Sequence, residues 1–367
     1  MNFKNLILPV LILISYIFYG QENKEFSSIQ ADYYYGNILG FNKSVTHLIK
    51  GHPTGIILGW NKETYGKNDW EERFNYPDMG VSFVSQDFKN RDLGKGYGLY
   101  GHYNFYFGDR KKDNNEFFLR FGFGITYITN PYNKVNNSKN IAFGSHFNSS
   151  AYTMLNYKRN LFKNIDLTTG INFIHSSNGN TIAPNNGVNI YSINLGINYN
   201  FYDSEVKEYI HREKTIYKEP VKYNFAFRTG YNEAEIVNAG TYPFFTGSFY
   251  ADKRLSHLSS IQLGTDVFFS LFLKEYIKYN NAINNLQEDP YHYTRLGLFA
   301  GHELFINRIS FITQIGFYIY DPVNYEKVVY ERAGLKYYFG DKLFGSLSVK
   351  AHAARAESIE FGIGVRL

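Results

Sequence analysis

One short stretch holds residues whose types and spacing suit acyl-ester chemistry: His175, Ser177, Asn178 and Gly179, followed after a turn by Asn189. In an extended strand, side chains two residues apart project to the same side, roughly 6.5 Å apart. His175 and Ser177 can therefore meet, while Ser176 points the other way, which makes Ser177 the candidate nucleophile. An imidazole within reach can take the hydroxyl proton as the oxygen attacks a carbonyl, and a third group must fix the imidazole tautomer. Asn189 is the expected third group. A donor for the developing oxyanion is expected from Asn178, by side chain or backbone, or from the Gly179 amide. If the strand runs on through Asn178, alternation turns its side chain toward the opposite face.

Two ribbons must position these groups. Ile165, Leu167, Ile171 and Phe173 alternate with Asp166, Thr168, Gly170 and Asn172; Tyr191, Ile193, Leu195, Ile197 and Tyr199 alternate with Ser192, Asn194, Gly196 and Asn198. That period of two is a strand period. Pro184-Asn185-Asn186-Gly187 supplies the reversal between them, predicting a hairpin. Extended past Phe173, the first apolar row reaches His175 and Ser177; extended back from Tyr191, the second reaches Asn189. Three polar residues thus interrupt one apolar face, where unpartnered polar groups are costly in hydrocarbon.

Composition sets the class. The 367 residues include 34 Tyr and 33 Phe but only 2 Trp, and the mean hydropathy of -0.35 is too polar for a helical membrane protein. Outside the N-terminus no run of about 18 apolar residues could span a bilayer as a helix, leaving an all-β chain. At the N-terminus Lys4 precedes the apolar run Leu6 to Tyr19, which ends at Gly20 before a polar stretch. Residues 1–20 therefore read as a secretory signal peptide. Zero cysteines exclude disulfides, thiolate metal sites, a Cys nucleophile and a lipidated Cys. The net charge of +5 is scattered along the chain, which excludes a nucleic-acid partner and suits an anionic lipid surface.

After the signal segment, ribbons of roughly ten residues with alternating polarity recur between turn-rich stretches, the signature of a transmembrane outer-membrane antiparallel β-barrel. The expected architecture is about fourteen to sixteen strands, or an eight-stranded barrel plus a second eight-stranded unit. One large barrel is the first choice, because no internal repeat is evident. Residues 21–201 form the half with the hairpin, 202–220 a linker rich in Glu and Lys, and 221–367 the C-terminal half. With both termini in the periplasm, odd strands run outward and the seventh ends at the cell surface. Loops 129–149 and 271–290 then lie outside as long polar loops, and Gly340-Asp341-Lys342 forms a periplasmic turn. Arg120, Arg228, Asp266, Arg295, Arg332, Lys336, His352 and Glu360 all fall on the non-apolar rows and are expected to pair inside a lumen. His47 and His52 are five apart in an expected loop, where a metal role is open but has no support from the sequence.

The motif His175-Ser176-Ser177-Asn178-Gly179, followed by Pro184-Asn185-Asn186-Gly187-Val188-Asn189, resembles the catalytic hairpin of the lipid A 3-O-deacylase (PagL) family. That family is an eight-stranded outer-membrane barrel with His-x-Ser-Asn at the end of its seventh strand and a glutamate at the start of its eighth. The resemblance covers about residues 26–201 and implies roles: Ser177 nucleophile, His175 base, Asn178 oxyanion donor, Asn189 at the glutamate position. The second half, with Lys350-Ala351-His352-Ala353-Ala354-Arg355-Ala356-Glu357-Ser358-Ile359-Glu360, looks like the longer Bacteroidetes-type relatives labelled acyloxyacyl hydrolases.

Asn189 departs from the family. A neutral amide can accept the imidazole N–H but cannot stabilise imidazolium by charge, and the comparable Asp to Asn change in a serine protease lowers turnover by about four orders of magnitude. The site is a slower Ser-His-Asn variant, is completed by a distant acid, or is inactive. The resulting expectation is a carboxylic ester hydrolase of the outer membrane of a Gram-negative bacterium. It would cut an ester-linked acyl chain of lipid A, or lipopolysaccharide, at the lipid-facing barrel surface without a cofactor. Lys43, Lys134 and Lys139 are expected to attract lipid A phosphates. The alternatives are a non-catalytic outer-membrane barrel, serving as a channel or structural protein, and a soluble secreted β-sandwich.

Overall fold

The computed structural model describes residues 26–40, 43–110, 115–201, 208–212, 216–233, 240–284, 293–353 and 355–367. The expected signal segment 1–20 lies outside them. Sixteen antiparallel strands close into two barrels of eight. The first contains β1 (Ser27–Ile38), β2 (Thr54–Lys62), β3 (Asp78–Asp87), β4 (Lys95–Phe107), β5 (Asn115–Ile128), β6 (Phe147–Phe162), β7 (Ile165–Ser177) and β8 (Val188–Asn200). The second contains β9 (Lys222–Glu233), β10 (Thr241–Arg254), β11 (Ser259–Ser270), β12 (Thr294–Ile306), β13 (Ile309–Tyr320), β14 (Val329–Phe339), β15 (Leu343–His352) and β16 (Arg355–Arg366).

The preference for one large barrel is corrected here. β8 returns to β1, with Tyr199 opposite Ile29 and Ile190 opposite Ile38, and β16 returns to β9, with Val365 opposite Phe225. Each group satisfies its own edges, so no strand is left to join the two into one wider sheet.

Polarity is inverted relative to a soluble core. Leu99 is 66% exposed and Leu263 69% exposed on the outward rows, whereas Arg120, Arg228, Arg295 and Arg332 are all almost wholly buried inside. An apolar exterior around a polar interior is the membrane-barrel arrangement and rules out the soluble sandwich. Eight strands enclose a lumen just wide enough for side chains to fill. In the first barrel Arg120 donates to Asn104 (2.6 Å), Gln30 (2.7 Å) and Asn61 (2.9 Å). In the second, Arg332 bridges Glu360 (2.6 Å) and Asp266 (2.8 Å), Lys336 meets Glu303 (2.9 Å), and Lys350 meets Glu357 (2.7 Å). His352 faces Tyr318 at 3.0 Å. The expected lumen residues do point inward. Glu357 joins them because β15 and β16 shift register beside it, so that it and Ser358 are both buried. Among the described residues, side chains thus occupy the middle of both lumens.

One connection differs from expectation. Leu271–Asn284 is a helix, not a polar loop, because Phe272, Leu273 and Ile277 fall at helical spacing and bury together. Under the rim of the first barrel, Val45, Leu48, Phe88, Leu93, Ala142 and Phe143 form an apolar layer that ties the loops at this end together. The two barrels touch along their walls, where Phe121 of β5 meets Phe311 of β13 with ring centroids 6.3 Å apart.

Candidate active site

The register of β7 on β8 sets His175 directly opposite Asn189. Both lie on the outward row, and the His175 Nδ1–H donates to Asn189 Oδ1 at 2.7 Å. Ser176 points inward and shares a hydrogen bond with Ser150 Oγ at 2.8 Å, which removes it from this face. Ser177 is the last residue of β7, buried beneath the loop, and its Oγ accepts the Gly179 N–H at 3.2 Å. Gly187, at φ +66°, comes in close from the other side: a Cβ there would stand 3.2 Å from Ser177 Cβ and 3.4 Å from His175 Cε1. The turn glycine is thus required both by its left-handed backbone and by the space it leaves the two side chains.

The strand ends at Ser177, so Asn178 does not follow the alternation into the lumen. Its Nδ2 donates to Ser145 Oγ (3.1 Å) and Ile182 O (2.8 Å), and its backbone N–H donates to Asn185 Oδ1 (2.9 Å). All of its N–H groups brace the loop. Asn185, read from the sequence only as part of a reversal, is therefore a structural partner of the motif.

Two depressions lie near this point. A cleft of ≈ 710 Å³ opens at the rim, lined by His175, Ser177, Asn180, Asn185 and Asn189 together with Leu39 and Val45. Below it, an apolar groove of ≈ 530 Å³ runs down the barrel wall along Tyr35, Leu155, Ile171, Phe173, Tyr191 and Ile193. Phe173 and Tyr191 continue the rows of His175 and Asn189, so the groove begins one outward position below the polar pair.

Other expected site residues lie apart. Lys139 lines a separate rim depression, beside Asn133 and His146, and does not line the cleft. Lys134 is exposed, and the side chain of Lys43 lies outside the described residues. His47 is held by the Ser44 and Lys139 carbonyls, each at 2.8 Å, and His52 by Asn37 at 2.6 Å. Among the described residues no group of three or more His, Cys, Asp or Glu could hold a metal ion.

A family model described as lipid A 3-O-deacylase (PagL) matches residues 54–198, and one described as acyloxyacyl hydrolase, C-terminal domain, matches residues 221–367. The chain belongs to the PagL-type acyloxyacyl hydrolase family. The two models fall on the two barrels, with the hairpin inside the first. Among solved structures, the outer membrane enzyme PagL is 17% identical, covering 46% of this chain and 97% of that chain with a TM-score of 0.34. Neisserial surface protein A is 10% identical, covering 48% of this chain and 97% of that chain with a TM-score of 0.32. The Acinetobacter baumannii outer membrane protein Omp33 is 9% identical over 94% of this chain and 100% of that chain, with a TM-score of 0.19. No curated protein matches.

Sequence reasoning missed Glu233, which is 4% exposed. It continues the outward apolar row Tyr223, Phe225, Phe227 and Tyr231 of β9. An acid on such a row is the same signal that singled out His175 and Ser177, and it went unread because its partner lies in the other barrel.

Proposed function

We propose that this protein is an outer-membrane esterase that removes an ester-linked acyl chain from lipid A, using Ser177 as nucleophile, His175 as base and Asn189 as the group that orients the base. The observation that carries the reading is the His175–Asn189 hydrogen bond on the outward face, with Ser177 two residues on and an acyl-sized apolar groove below. Asn189 engages Nδ1, so Nε2 is the nitrogen that takes the Ser177 proton as Oγ attacks the ester carbonyl. The tetrahedral intermediate collapses, the sugar hydroxyl leaves with the proton from Nε2, and water, activated by the same nitrogen, hydrolyses the acyl-enzyme. With the N–H groups of Asn178 engaged in the loop, the Gly179 amide, already facing Ser177 Oγ, is the better oxyanion donor. An acyl chain in the groove would bring its ester to the rim, where the substrate's sugar head meets the cleft.

The reading is tested by expressing wild type and Ser177→Ala in a Gram-negative host and measuring the mass of extracted lipid A. Loss of one acyl chain only with intact Ser177 is expected. Identical spectra would overturn the reading.

A further inference from the structure

Two closed barrels that touch along their walls leave a wedge beside the line of contact. One such wedge is a groove of ≈ 960 Å³ toward the end opposite Ser177, where β2 leads into β3 and β12 into β13. Trp60, Val81 and Tyr103 line it from the first barrel and Ile306 and Leu335 from the second, alongside the Phe121–Phe311 contact. Gly101 deepens it, since a Cβ on this outward position would meet nothing within 4 Å. The walls are also held together at the Ser177 end, by a clasp. There Glu233 Oε2 accepts the Ala183 N–H at 2.8 Å, the Glu233 N–H donates to Asn180 O at 3.0 Å, and Asn180 Nδ2 donates to Glu233 O at 3.0 Å.

The groove has one cationic edge. In the β2–β3 connection the short helix Asp69–Arg73 packs on the first barrel, with Trp70 edge-on to Tyr103 at 6.2 Å and Phe74 against Phe105 at 5.6 Å. It brings Arg73 to the groove, whereas the acids of the helix are engaged elsewhere. Asp69 pairs with Arg212 (3.1 Å), Glu71 accepts from the Gly66 N–H (2.8 Å) and Asn68 (2.6 Å), and Glu72 accepts the Arg212 N–H (2.9 Å). Lys62, at the same edge, has a contact of its own. Arg73 Nε is a buried donor with no partner among the described residues, and no acid among them lines the groove. A buried donor left without an acceptor is costly, so this edge calls for an anionic one.

We propose that the wedge binds one glycerophospholipid, with an acyl chain between the two barrels and its phosphate on the Arg73 guanidinium. The chain covers apolar walls from both barrels, and the phosphate oxygens supply the acceptors that a guanidinium fork engages in pairs. A free anion would leave the walls bare, and a neutral diacylglycerol would leave Arg73 unpaired. The assignment rests on the deacylase reading only for the leaflet: with Ser177 facing the lipopolysaccharide, this end faces the phospholipid.

The chain's two tryptophans make the site observable, since Trp60 lines the groove and Trp70 sits on the helix beside it. Trp70→Phe keeps a ring against Tyr103 and leaves Trp60 as the sole reporter. This full-length background protein is titrated in detergent micelles with phosphatidylglycerol carrying brominated acyl chains, and with diacylglycerol carrying the same chains. Saturable quenching of Trp60 is expected, about tenfold tighter for the phospholipid. Arg73→Ala should remove that difference and Arg73→Lys restore part of it. Gly101→Phe, directed into open space and checked for intact barrels by heat-modifiable gel mobility, should weaken both lipids about tenfold. Arg159→Ala, which removes an exposed cation at the same end but outside the groove, should change neither. Equal quenching by the two lipids in the background protein, or phospholipid affinity unchanged by Arg73→Ala, would overturn the proposal. So would full competition by millimolar inorganic phosphate, which would assign Arg73 to a free anion, or stronger competition by lipid A than by unlabelled phosphatidylglycerol, which would assign the wedge to the substrate. Unchanged lipid A mass in the expression assay together with Arg73-dependent quenching would sink the deacylase reading and leave the wedge site standing; acyl loss with an indifferent Arg73 would do the reverse.

Discussion

The two barrels have the same strand number and the same inverted polarity, yet they are filled differently. Across its middle the first is packed with amides and hydroxyls, with Arg120 meeting Asn104, Gln30 and Asn61 and His102 meeting Asn61 (2.9 Å) and Ser82 (3.1 Å), while its ion pairs, Arg110 with Asp78 and Glu116 and Lys158 with Glu116, gather at the end away from Ser177. The second is filled with ion pairs, Arg332 with Asp266 and Glu360, Arg295 and Lys350 with Glu357, and Lys336 with Glu303. The difference teaches where each barrel keeps its chemistry. In the first, His175, Ser177 and Asn189 interrupt the outward row at the rim; in the second, ion pairs run through the middle of the lumen, and Glu233 marks where charge reaches the neighbour by accepting the Ala183 N–H.

The largest effect should fall on the rim of the first barrel. Ser177→Ala is expected to lower deacylation by at least about three orders of magnitude, whereas Ser176→Ala, on the inward row, should stay within a few fold, as measured by lipid A mass over time. Equal losses in the two variants would erase the parity assignment. Next come the interiors. Arg332→Met strands two buried carboxylates that it pairs directly and should cost about 3–5 kcal/mol, while Arg120→Met strips three neutral amides of their donor and leaves one carboxylate, Asp32, held only by hydrogen bonds, and should cost less, about 1–3 kcal/mol. Urea unfolding in detergent compares them, and equal costs would remove the contrast between charged and neutral fillings.

A third change sharpens the role of Asn189. Asn189→Glu should raise the rate about tenfold or more by stabilising imidazolium, since a carboxylate in that place is worth up to about four orders of magnitude in a serine protease. An unchanged rate would mean that another group already supplies the charge.

The smallest effect concerns the connection between the barrels. Arg212 N–H donates to Glu72 (2.9 Å) near the first barrel, and Glu219 meets Arg366 (2.7 Å) at the second. The hydrogen bond from Arg366 holds the Glu219 carboxyl below its usual range, outweighing the opposing effect of partial burial. A depressed acid stabilises the fold above its unfolded pKa, and that contribution is lost as pH falls through the folded value. Pepsin cleavage near residues 216–220 should therefore rise only at pH below the ordinary glutamate range, and Glu219→Gln should remove this step.

Much of this was legible in the sequence because the strand period is local. Rows such as Phe117, Leu119, Phe121 and Phe123 identify a ribbon without reference to anything distant, and the row through Phe173 selects Ser177 over Ser176. Closure was not legible, since alternation is identical in a wide barrel and in two narrow ones; only the pairing of β8 with β1 and of β16 with β9 distinguishes them. The stop of β7 at Ser177, which turns Asn178 into a loop brace, depends on Ser145, Ile182 and Asn185 being brought together. The clasp at Glu233 required two separately closed units to be set side by side.

The filled interiors have a physiological consequence. An outer membrane protects the cell by excluding solutes, and every open pore added to it weakens that exclusion. Arg120 and Arg332 each bond to partners on neighbouring strands at the centre of a lumen that the described side chains fill. A barrel filled in this way can sit in that membrane in numbers without adding a pore to it.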